Sequence, residues 1–101
     1  MSELHDWLAA QHPGLRTYKA FKERTNAMAG SDREHRAFYK LLSTMVDPFI
    51  DTYNGEALPT ELAEVTFRRL LRVVEDAETK IALSPDIRMN ALNEIASVEL
   101  V

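Results

Sequence analysis

Three histidines are the first residues in this chain to test for chemistry. His5 and His12 stand seven apart, which in a continuous helix puts them on one side but roughly 10 Å from each other, too far for one metal ion to join. Asp32 and His35 are three apart, close enough for both to reach a metal. That spacing is common, however, and an acid in the first turn of a helix is expected from the helix dipole. No Glu-x-x-His pair occurs, so the ligand set of a di-iron bundle is missing. Serines at 2, 31, 43, 84 and 97 lack a glycine-flanked elbow and a histidine placed beside them. Three isolated glycines give neither phosphate-binding loop. The expectation is a chain with no catalytic residues, no metal and no cofactor.

A second kind of chemistry is phosphate contact. The stretch "LRTYKAFKERTNAM" (15–28) interleaves Arg16, Lys19, Lys22 and Arg24 with Tyr18 and Phe21. On a helical projection Leu15, Tyr18, Phe21, Thr25 and Met28 share one side, and Arg16, Lys19, Glu23 and Arg24 occupy the other. Binders of single strands need aromatic faces exposed beside their cations, so the projection removes stacking and leaves charge. Arg33, Arg36 and Lys40 extend that basic face. Residues 15–40 carry seven Lys/Arg against three acids, whereas residues 41–101 carry five against eleven, within a net charge of −4. A positive face beside an acidic remainder meets phosphate, an acidic partner, or the second half of its own chain.

These residues need helices to position them. Apolar positions recur at helical spacing, and the few glycines and prolines fall where that periodicity breaks. The reading is an all-α, single-domain bundle of about five helices covering residues 1–101, within the ordinary size of one domain. Ser2 is the expected cap of a short first helix bearing Leu4, Trp7 and Leu8, stopped by "HPG". The second helix ends around Gly30. Ser31 and Glu34 have the spacing of a capping box that would start the third.

The third helix carries Phe38, Leu41, Leu42, Met45, Val46, Phe49, Ile50 and Tyr53 and is the expected central element. Pro48 lies inside it, at a cost of about 3 kcal/mol in an uninterrupted helix. The spacing predicts either a kink or two helices meeting near Asp47, with Asp47 as cap. After a turn at Asn54 and Gly55, a long helix spans about 59–83. Its seam is Ala63, Phe67, Leu70, Val74, Ala77 and Ile81. Glu64 with Arg68 and Arg72 with Asp76 have the spacing of ion pairs on its outer face. "SPD" (84–86) starts a last helix carrying Ile87, Ala91, Leu92, Ile95 and Val98.

No cysteine is present and no apolar run reaches the ~20 residues that cross a bilayer. Cytoplasmic location is expected, without a membrane partner. The functional expectation is a small non-catalytic module, an adaptor, inhibitor or regulatory subunit, that binds another protein through an apolar patch, with Trp7, Leu4, Leu100 and Val101 as candidates. Homodimerisation through the long helix is a second use of the same seam. The alternative is nucleic-acid binding by the basic face of residues 16–40, through Arg16, Lys19, Arg24, Arg33, Arg36 and Lys40.

Overall fold

The computed structural model describes residues 3–100, so the expected cap Ser2 and the candidate Val101 lie outside the described residues. Six helical segments follow one another: α1 (Glu3–Ala9), α2 (Leu15–Ser31), α3 (Arg36–Met45), α4 (Asp47–Tyr53), α5 (Thr60–Ile81) and α6 (Pro85–Ser97). With α3 and α4 taken as one proline-interrupted helix, this is the five-helix bundle that the periodicity predicts. At 22 residues α5 is roughly 33 Å long, and it sets the long dimension of a molecule measuring 41 × 23 × 23 Å.

Two helical hairpins organise the bundle: α2 packs on α3, α5 packs on α6, and α3 meets α6 between them. Short α1 lies on α5, and α4 lies against α2. Apolar spacing explains each interface. Tyr18 and Phe21 of α2, Phe38 and Leu42 of α3, Phe49 of α4, and Leu70, Val74 and Ile81 of α5 are all buried in one core with Leu4 and Leu8 of α1. The whole seam of α5, from Ala63 to Ile81, is buried within the single chain. Of the two uses expected of this seam, packing within the chain is the one the burial shows.

Each hairpin turn is fastened in the same way. Arg36 Nε donates to the carbonyl of Ala29 (2.9 Å), and Arg88 Nε donates to the carbonyl of Ile81 (3.0 Å). Both arginines reach back seven residues to a carbonyl in the last turn of the preceding helix, where backbone acceptors lack an intrahelical partner.

The turns themselves differ. Ser84 caps α6 as expected, accepting from the Ile87 amide, and Pro85 occupies the first turn. At α2–α3 the expected capping box does not form. The helix runs through Gly30 and Ser31, the Asp32 amide donating to Met28 O (2.9 Å), and the Ser31 hydroxyl donates back to the same carbonyl (3.3 Å). Asp32 takes over the turn, its carboxylate accepting from the His35 amide (3.2 Å).

Pro48 splits the central helix in two, as one of the expected alternatives had it. Val46, not Asp47, stands at the N-cap of α4, and no side-chain cap is made. Asp47 pairs instead with Lys22 of α2. Gly55, with φ of 82°, makes the turn after α4, a backbone conformation that favours glycine.

Candidate functional site

Two carboxylates that each accept from the backbone amide of a histidine, Asp32 and Glu78, do structural work. Asp32 Oδ2 lies 2.9 Å from His35 Nδ1, and with its bond to the His35 amide it closes the α2–α3 turn. The hydrogen bond from His35 holds the Asp32 carboxyl below its ordinary value. Glu78 of α5 is 4% exposed and accepts from the backbone amides of His5 (2.9 Å) and Leu4 (3.4 Å). Those amides belong to the first turn of α1, which has no intrahelical acceptor for them. Glu78 therefore caps α1 from a different helix. Burial pushes its carboxyl above the ordinary value, against the lowering effect of the two amides. The His5 ring faces Glu75 Oε2 (3.7 Å) and Asp6 Oδ1 (3.6 Å). Among the described residues, no three His, Cys, Asp or Glu side chains converge to hold a metal ion.

The basic face is partly answered by the molecule itself. Lys19 Nζ donates to Asn54 Oδ1 (3.2 Å), Lys22 pairs with Asp47, and Arg36 is committed to the α2–α3 turn. The guanidinium of Arg24 lies 4.8 Å from the ring centre of Trp7, within range of a cation–π contact. Arg16, Arg33 and Lys40 are exposed. Tyr18 and Phe21 are buried, as the projection required. On α5 the expected ion pairs are not made. Asp76 turns to Lys80 (3.0 Å), which also reaches Glu94 of α6 (3.0 Å) and so fastens α5 to α6.

The apolar candidates are redistributed. Leu4 is fully buried, so it anchors α1 in the core and offers no surface. Trp7 is half-buried, packed against the core beneath Arg24. Ile87, expected on the inward side of α6, is 40% exposed. Leu100 is 7% exposed and forms part of the wall of a groove.

That groove follows from the break at Pro48. Where α3 gives way to α4, Leu41, Thr44, Met45 and Pro48 face Ile95, Ala96 and Val98 at the end of α6. A second lobe continues past Met45, Pro48 and Val98 to Glu99 and Leu100. The lobes hold about 240 and 260 Å³. Sequence periodicity marks Met45, Ile95 and Val98 as core, but in the structure they also line a groove beside the break between α3 and α4.

Glu78 was also missed by sequence reasoning, although a signal was present. Val74, Glu78 and Ile81 follow the inward spacing of α5, so a carboxylate stands at a core position. Comparison with known proteins gives no match to any family model, curated protein or solved structure.

Proposed function

We propose that this chain is a non-catalytic protein-binding module, acting in the cytoplasm as an adaptor or regulatory subunit, that takes apolar side chains of a partner into the groove beside Pro48. The observation that carries this reading is the groove's composition. Leu41, Met45, Pro48, Ile95, Val98 and Leu100 line it, with Thr44 and Glu99 as its polar groups. Such concave apolar surface with a sparse polar rim is what a partner's anchoring side chains fill. Asp32 and Glu78 support the non-catalytic part, since each already has a mechanical role in a turn or a helix cap.

Ala96 provides the test, being exposed and part of the groove wall. Ala96→Arg fills the groove without disturbing the core. A partner captured from the native host and then purified should bind this variant roughly tenfold or more weakly, the loss of one anchoring contact. Unchanged affinity overturns the reading. So does binding that collapses with salt and is lost on charge reversal at Arg16, Arg33 and Lys40, the behaviour of a phosphate-contacting face.

A further inference from the structure

Helices α3 and α6 run side by side in the same direction. Arg88 in the first turn of α6 faces Glu34 just ahead of α3 (4.0 Å), and at the far end Thr44 and Pro48 face Ile95, Ala96 and Val98. Helical spacing from these two fixed points carries the apolar groove beyond its lobes. Ala37, Leu41, Thr44 and Pro48 form one row along α3 and into α4, exposed except for Leu41, which is half-buried. Met89, Leu92 and Ala96 form the facing row on α6, with Met89 58% exposed and Leu92 half-buried. The strip is roughly 17 Å long at 1.5 Å per residue, and neither row contains a charge.

Its two margins differ. Beyond the α3 row stand Arg33, Arg36 and Lys40, all exposed. Arg36 Nε serves the α2–α3 turn, whereas Arg33 and Lys40 make no ion pair among the described residues. Beyond the α6 row stand Asn90, Asn93 and Ser97, exposed and uncharged. The acids of α6 lie off the strip, Asp86 ahead of it and Glu94 turned to Lys80 of α5.

Given a groove that takes a partner's apolar side chains, we propose that the strip seats an amphipathic helix of that partner, about three turns long, whose acidic side lies along Arg33, Arg36 and Lys40.

Two parallel helices leave a channel into which the ridge of a third can pack, with an apolar side chain entering it every three or four residues. A polyanion would leave the uncharged floor unfilled and meet cations on one margin alone. A helix with carboxylates along one side answers both features. The apolar seam of α5 and Leu4 and Leu8 of α1 are buried in this chain, so neither helix of a second copy is free to fill the strip.

The probe is a display library of helical peptides about four turns long, with Leu or Met at i, i+3, i+4 and i+7 and Glu, Lys or Ser at the flanking positions. Selection on the unaltered protein should enrich Glu on one flank only. Ala96 and Lys40 are exposed, so variants there keep the core. For the purified peptides, Ala96→Arg should weaken binding roughly tenfold or more, and Lys40→Glu roughly fivefold, the effect of a charge at the rim. Selection on Lys40→Glu should move the same flank from Glu toward Lys, and Arg16→Glu, on α2, should leave affinity unchanged. If Ala96→Arg abolishes binding but the flank shows no acidic preference and Lys40→Glu is silent, the groove reading stands and the acidic helix is overturned. Peptides indifferent to Ala96→Arg, a library that yields no binder, or a dimer that Ala96→Arg breaks also overturn it.

Discussion

Asp32 and Glu78 each accept from the backbone amide of a histidine, yet their carboxyls are shifted in opposite directions. Asp32 and His35 sit in an open turn, where the hydrogen bond from the histidine dominates and the carboxyl is lowered. Glu78 sits beneath α1, where loss of water dominates even though two backbone amides point at its oxygens. A shared kind of backbone donor therefore does not set the sign. Access to water does, because desolvation penalises the charged form while nearby donors favour it. One carboxylate fixes a turn within a hairpin, and the other joins two elements separated by most of the chain.

The largest test of this contrast is Glu78→Ala. It leaves two α1 amides without an acceptor, so unfolding stability should fall by about 2 kcal/mol. The loss should appear in urea denaturation, together with a change in the emission of Trp7, the only tryptophan. A change within experimental error would mean that solvent caps α1 as well as Glu78 does, and the contrast would fail.

Asp32→Asn sharpens the other side. Because the Asp32 carboxyl is lowered in the folded state, its contribution is present above the ordinary carboxylate range and disappears as pH falls through the folded value. In the unaltered protein the acid limb of the stability profile should therefore steepen below about pH 4. Asn keeps an acceptor for the His35 amide but does not titrate, so the variant should show a shallower acid limb and a smaller loss at neutral pH than Glu78→Ala. An unchanged acid limb would remove Asp32 from the comparison.

The same contrast explains which parts of the molecule were legible in the sequence. The α5–α6 turn was readable because Ser84 and Pro85 act through their immediate neighbours. At α2–α3 the local rule misled: Ser31 and Glu34 have capping-box spacing, but the helix gains another turn-closing bond at Asp32 and the aspartate supplies the Asx-type turn. Helix count, the α5 seam and the inward aromatics of α2 followed from periodicity, which reports burial wherever a face is continuous. The groove depends on how α3 and α4 meet the end of α6, and the Glu78 cap depends on residues 73 and 74 positions away. Neither is written in local spacing. Arg36 shows the same limit, since it was read as part of a basic face yet serves as a hairpin fastener matched by Arg88.

If access to water is the governing variable, a buried polar group with no donor or acceptor at all should show its cost undiluted. Tyr18 provides that case. Its ring is fully buried against Phe49, with centroids 4.6 Å apart, and its hydroxyl has no hydrogen-bond partner among the described residues. Burial pushes its phenol upward, with no opposing donor. Tyr18→Phe keeps the aromatic packing and deletes only the orphaned group, so it should leave the protein unchanged or more stable by up to about 1 kcal/mol. Thermal and urea denaturation both report it. A loss of stability would mean that the hydroxyl is satisfied in solution, by water or by a rearranged neighbour. Burial at Tyr18 would then be compensated as it is at Glu78, and the distinction between the two sites would shrink to one of geometry.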